Sequence, residues 1–103
     1  MDMNMGPQGA TRDKTEDEVQ EPKQFRVVML NDDFTTMEFV VKVLIELFQK
    51  DPMTAESIMM DVHKKGRGIV GTYPYDIART RTDQALARAR AEGYPFQMEV
   101  EEE

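Results

Sequence analysis

The sequence predicts an α+β domain in two layers, a three-stranded antiparallel sheet packed against three helices in the order β-α-α-β-α-β. Three observations predict it. Residues 25–30 and 68–73 are short segments rich in β-branched and aromatic residues, and the stretch from Phe96 to Val100 alternates apolar and polar side chains. Between these lie three longer stretches whose apolar residues return every three or four positions. Glycine, proline, asparagine or aspartate separates the segments, so the connections are short, and 103 residues suffice for one domain.

The first strand begins at Phe25 and gathers apolar residues on both faces towards Met29 and Leu30, as a strand entering a core does. Asn31-Asp32-Asp33 ends it, because these side chains compete for the backbone and favour turns. Thr35 and Glu38 have the spacing of a capping box, which starts the first helix there. Met37, Val40, Val41, Leu44 and Phe48 form its apolar face. Asp51 and Pro52 suit the cap and first turn of a second helix, with Ala55, Ile58, Met59 and Val62 on one face. Lys64 and Lys65 lie in its last turn, where cations meet the negative end of the dipole, and Gly66 fits the left-handed residue that follows. Gly68 and Gly71 leave the second strand with little bulk, so another element approaches its backbone closely. Pro74 opens a third helix whose inner face is small: Ala78, Thr82, Ala85, Leu86 and Ala89. Gly93 stops it, and Phe96, Met98 and Val100 supply the inward side of the last strand.

The net charge of −7 is unevenly placed. Residues 1–22 hold six acids and two bases, and residues 99–103 hold four acids and no base. The intervening body, with 11 bases and 10 acids, is close to neutral, which argues against a nucleic-acid-coating protein. Residues 1–22, polar and rich in Gly and Pro, are expected to be a disordered extension. Residues 23–101 are the expected folded domain and 102–103 an acidic tail. The absence of cysteine excludes disulfides, thiolate metal sites and a catalytic thiol, and fits a reducing compartment. No apolar run is long enough to span a membrane, and the N-terminus lacks the pattern of a secretory signal.

One convergence suggests a binding site. If the first two helices pack as a hairpin, the Asn31-Asp32-Asp33 turn and His63 approach each other beside Met37, Val40, Met59 and Val62. Such a place has a charged rim and an apolar hollow, suited to a ligand with a cationic end and an apolar arm. The plainer reading is that the turn merely caps a helix, that His63 lies on the surface, and that the methionines fill the core. Periodicity alone does not separate the two. Enzyme chemistry is poorly supported: Asp32, Asp33 and one histidine make a thin ligand set, no Ser or Cys stands in a nucleophile motif, and Gly66-Arg67-Gly68 lacks the rest of a phosphate loop. No metal and no cofactor is expected. The third helix bears Arg79, Arg81, Arg88 and Arg90, a solvated face or a docking surface.

Residues 25–40, from Phe25 through Asn31-Asp32-Asp33-Phe34-Thr35-Thr36-Met37-Glu38-Phe39-Val40, resemble the signature of the ClpS family, in which an aromatic-led strand runs into this turn and helix. Met59-Met60-Asp61-Val62-His63-Lys64-Lys65-Gly66 is similar to its second motif, and Gly71, Tyr73, Asp76-Ile77-Ala78 and Tyr94-Pro95-Phe96 follow in the family's order. The likeness spans residues 22–101. It implies a non-enzymatic adaptor of the bacterial cytoplasm, by default a monomer, that binds proteins beginning with Leu, Phe, Tyr or Trp. Such an adaptor delivers them to a Clp AAA+ unfoldase, ClpA or ClpC, for degradation by ClpP, without nucleic acid or membrane partners. By position, the resemblance implies that Asn31 and His63 contact the free α-amino group, Asp33 does so through water, and Asp32 holds the substrate backbone. It implies a side-chain pocket of Met29, Leu30, Thr35, Met37, Val40, Met59, Val62 and Phe96, with Met37 as a gate against β-branched first residues.

Three departures from the family pattern stand out. Asp76, Arg79, Thr80 and Arg81 fall on the expected unfoldase contact, where Arg79 replaces a usual Glu and reverses the charge. Phe96 stands where Leu is common, and Thr36 where Pro is frequent. The extension 1–22 corresponds to a family segment linked to substrate hand-over. Two other readings stay open: a translation-linked docking domain, by likeness of fold to the ribosomal stalk protein's C-terminal domain, and a pure inhibitor of the unfoldase.

Overall fold

Strand β1 (Gln24–Leu30) is the centre of the sheet, and its middle, Val27 to Met29, is fully buried. The computed structural model describes residues 22–103. The expected extension 1–22 therefore lies outside the described residues except for Pro22. Helices α1 (Met37–Phe48) and α2 (Pro52–Lys65) follow, then β2 (Arg67–Pro74), α3 (Tyr75–Glu92) and β3 (Gln97–Glu102). The three-stranded sheet is antiparallel in the order β2-β1-β3. The expected β-α-α-β-α-β architecture is the one observed.

The core lies between one sheet face and the helices. Val27 and Met29 meet Val40, Val43, Leu44 and Phe48 of α1, Ala55, Ile58, Met59 and Val62 of α2, and Ala78, Ala85 and Ala89 of α3. The α2 face is the set its spacing gives. On α1 the buried stripe is rotated: Phe39 and Val43 are inside, whereas Met37 is 44% exposed and Val41 half-buried. On α3, Thr82 is fully buried and its hydroxyl has no hydrogen-bond partner among the described residues. Arg26, Val28 and Leu30 point to the other sheet face. There an ion pair from Arg67 on β2 to Glu101 on β3 spans the central strand, and Val28 is fully buried.

Helix ends follow local chemistry, with one correction. Thr36, not Thr35, caps α1: its hydroxyl accepts from Phe39 N at 3.1 Å. The Thr35 hydroxyl is already engaged by Asp32, so the helix starts one residue later than the capping-box spacing implies. Asp51 caps α2, accepting from Thr54 N, and bonds from the Thr54 side chain and backbone hold its carboxyl below the usual range. Gln49, at φ 53°, ends α1 in the left-handed conformation, and Gly66 and Gly93 end α2 and α3 at φ 89° and 82°.

The close approach expected at Gly68 is real. A Cβ there would lie 2.7 Å from Val62 Cγ2 and 3.0 Å from the Ile58 carbonyl oxygen, so α2 rests directly on the β2 backbone. At the C-terminus, strand β3 extends through Glu102, opposite Phe25, and Glu103 N donates to the Gln24 carbonyl. The expected acidic tail at 102–103 thus begins inside the strand, because the partner strand still offers backbone groups to pair.

Candidate functional site

The loop from Asn31 to Thr36 leaves the central strand beside the C-terminal end of α2. Asn31 N donates to the Gly66 carbonyl at 3.0 Å, tying the loop to the turn that closes α2, one helical turn past His63. Within the loop, Asp32 folds the backbone on itself. Its Oδ1 accepts from Phe34 N at 2.8 Å and Thr35 N at 2.7 Å, and its Oδ2 accepts from Thr35 Oγ1 at 2.7 Å. Burial pushes the Asp32 carboxyl up, but the Thr35 backbone, the Thr35 hydroxyl and the Phe34 backbone together outweigh it, and the net shift is down.

These connections enclose a cavity of about 290 Å³ between the loop, α1 and α2. Asn31, Asp32, Asp33 and His63 form its polar end, while Met37, Val40, Met59 and Val62 form its apolar end with Thr35 between. Every one of these nine residues is a site residue expected from the sequence. Val40, Met59 and Val62 are buried and belong to the core, so the apolar end is continuous with it. Asn31, Asp33 and His63 are exposed and keep their polar atoms available.

Three expected pocket residues lie elsewhere. Met29 is fully buried in the core and does not line the cavity. Leu30 and Phe96 line a separate groove beside the start of β3, with Leu86, Tyr94 and Met98. Along β1 the side chain of Met29 points to the helices and that of its neighbour Leu30 to the other side of the strand. Phe96 packs edge-on against the ring of Phe39 at 5.8 Å. Asp76, Arg79, Thr80 and Arg81 lie on the first turns of α3 and do not touch the cavity. Arg79 pairs with Asp83 at 3.0 Å and Arg81 donates to Gln49 Oε1 at 2.8 Å.

Chemically, one end of the cavity offers hydrogen-bond acceptors and the other an apolar surface. Asp32 spends three of its acceptor positions on its own loop. The other polar groups lining this end are the Asn31 amide, the Asp33 carboxylate and the His63 ring. Among the described residues, no three His, Asp or Glu side chains are grouped to hold a metal ion.

Comparison with known proteins bears on this geometry. Residues 20–99 match the family profile described as ATP-dependent Clp protease adaptor protein ClpS. The ClpS adapter protein of Nitratidesulfovibrio vulgaris is 53% identical over 87 residues, which cover 84% of this chain and 87% of that one. That of Burkholderia mallei is 48% identical over 90 residues, covering 87% and 86% respectively. Among solved structures, Agrobacterium tumefaciens ClpS2 bound to L-phenylalaninamide has a TM-score of 0.77 at 35% identity, covering 81% of this chain and 100% of its own.

Proposed function

We propose that this chain, which belongs to the ClpS family of ATP-dependent Clp protease adaptors, binds the first residue of proteins that begin with Leu, Phe, Tyr or Trp. It presents them to a Clp AAA+ unfoldase, ClpA or ClpC, for degradation by ClpP. It works as a monomeric, non-enzymatic protein of the bacterial cytoplasm. The observation that supports this is the two-ended cavity: acceptors at one end, an apolar hollow at the other. L-Phenylalaninamide, the ligand in the Agrobacterium relative, joins the matching groups, a free α-amine and an apolar arm.

An α-ammonium has three N–H donors, and Asn31, His63 and Asp33 (directly or through water) offer it three acceptors. Charge-assisted bonds of this kind contribute about 1.5–3 kcal/mol each. Burying a Leu or Phe side chain against Met37, Val40, Met59 and Val62 adds about 1.5–3 kcal/mol. Association costs at least about 4 kcal/mol, so neither half alone holds a protein firmly and the site selects for both together. An Arg first residue would bring an unpaired charge into the apolar end and is rejected. Asp32, with its oxygens turned inward, mainly fixes the loop that presents Asn31 and Asp33, and its remaining acceptor capacity meets the substrate backbone.

Delivery requires an unfoldase contact, and the exposed first turns of α3, with Asp76, Arg79, Thr80 and Arg81, are the surface assigned to it. The experiment uses fluorescent peptides that differ only in their first residue. Peptides starting with Phe or Leu bind, those starting with Arg or Ser do not, and His63→Ala or Asn31→Ala each weakens binding at least about ten-fold, the loss of one charge-assisted bond. Equal affinity for Phe-first and Ser-first peptides would contradict the proposal.

A further inference from the structure

A second hollow adjoins the cavity. It is a groove of about 580 Å³ on the outer seam of α1 and α2, twice the cavity's volume. Met37 and Met59 line both, so the two spaces are separated by a wall one side chain thick. Along the groove floor run Met37, Val41 and Ile45, four residues apart on α1 and hence a single stripe, with Lys42 and Glu56 at its edges. Met37 is 44% exposed, and Phe34, in the loop beside the cavity, is 72% exposed. The apolar surface of the site thus continues out of the cavity and along α1 instead of ending at its mouth.

From this continuity we infer that the groove receives an apolar side chain from the substrate segment just behind its first residue. The protein thereby selects substrates for a second hydrophobic position as well as the first. This rests on the first-residue reading of the cavity and extends it. A substrate whose first side chain fills the cavity has its following residues emerging beside the Met37–Met59 wall. An extended chain advances roughly 3.3 Å per residue, so a few residues cross a wall one side chain thick. The occupant is therefore residue 2, 3 or 4 of the same chain. Its walls suit varied occupants, because Met37 and Met59 are flexible and polarizable and adjust to Leu, Ile, Met or Phe alike. Val41 and Ile45 pack from below on the core, which gives the groove a fixed floor under that adjustable wall.

The test is a scan with the intact chain and ten-residue peptides labelled at the C-terminus. All begin with Phe; one has Ser at positions 2–4, and the others place a single Leu at each of these positions in turn. One Leu position tightens binding about five-fold or more, the effect of partly burying one aliphatic side chain in an open groove. Ile45→Gln or Val41→Gln abolishes that gain and leaves the affinity of the Ser-containing peptide unchanged. A flat scan on the unmutated protein overturns the inference, and so does a gain that survives both substitutions. N-acetylated copies of each peptide separate the two levels. If acetylation has no effect, the first-residue reading fails and the inference with it; if acetylation abolishes binding while the scan is flat, the inference alone fails.

Discussion

Asp32 shows how much of the site rests on one residue that makes little use of its position at the cavity. Its three accepted bonds, from Phe34 N, Thr35 N and Thr35 Oγ1, shape the loop that holds Asn31 and Asp33. Its carboxyl is held below the ordinary 3.8, so folding favours the carboxylate. A depressed folded value means this stabilisation is fully present above the unfolded pKa and disappears as pH falls through the folded one. Asp32→Asn keeps the oxygen that accepts the two backbone donors but loses the charge. Its stability in urea is expected to lie below that of the unmutated protein at pH 7 and to converge with it as pH falls below the ordinary carboxylate value of 3.8 and through the lower folded one. Asp32→Ala loses every one of these bonds, so it lowers both stability and peptide affinity. Parallel stability curves for Asp32→Asn and the unmutated protein across that range would contradict the role. The sequence made the turn legible, because three consecutive turn-formers precede a helical pattern. It did not show that Asp32 would take the Thr35 hydroxyl. Two adjacent threonines offer equivalent caps, and only the loop's internal bonding decides for Thr36.

At the scale of elements, two contacts decide how α2 and α3 sit on the sheet. Gly68 lets α2 rest on β2, and Val62, which it meets, is also a cavity wall. Gly68→Ala puts a methyl 3.0 Å from the Ile58 carbonyl oxygen, backbone that moves only with its helix. Overpacking of this kind costs about 1–3 kcal/mol, and each kcal/mol lowers Tm by about 4–8 °C in a domain of this size. Because Val62 is displaced, the variant also loses affinity for a Phe-first peptide, which a purely peripheral destabilisation would not do. An unchanged Tm would show that the contact is looser than described. Thr82 on α3 is the opposite case. Its buried hydroxyl lacks a partner among the described residues, so Thr82→Val, which replaces it by a methyl of the same shape, raises stability by about 1 kcal/mol. A lower Tm for that variant would mean that the hydroxyl finds a bond after all. The α2 stripe was legible because Ala55, Ile58, Met59 and Val62 are the apolar residues at helical spacing there. On α1 nearly every position is apolar, so the spacing admits several faces, and the close contacts of Phe39 with Tyr94 and Phe96 select the one that is buried.

For the molecule as a whole, the site exists because the central strand ends beside the C-terminal end of α2. The order β2-β1-β3 puts β2, and the Gly66 turn that leads into it, next to β1, and the bond from Asn31 N to the Gly66 carbonyl closes that junction. The two sequence motifs, 28 positions apart at Asn31 and Met59, become the two walls of one cavity only through this pairing. Element order and the nine cavity residues could be read from pattern and resemblance. The places of Met29 in the core and of Leu30 and Phe96 in the groove at β3 depend on tertiary packing that no motif spells out. The groove along α1 leaves no mark in the sequence, since Val41 and Ile45 have the same spacing as core residues. It becomes visible only when α2 is in place beside them.

The central claim is that a free α-amine meets Asn31, Asp33 and His63 while its own side chain fills the hollow beside them. The most direct measurement is a thermodynamic cycle: affinities of a Phe-first peptide, free and N-acetylated, for the unmutated protein and for His63→Ala. Acetylation is expected to weaken binding to the unmutated protein at least about a hundred-fold, the worth of an α-ammonium with its acceptors. It should weaken binding to His63→Ala by a clearly smaller factor, because part of what the amine contacts is already gone. The same acetylation penalty in both proteins would mean that His63 and the amine do not meet, and no penalty in either would mean that the cavity does not hold a chain terminus.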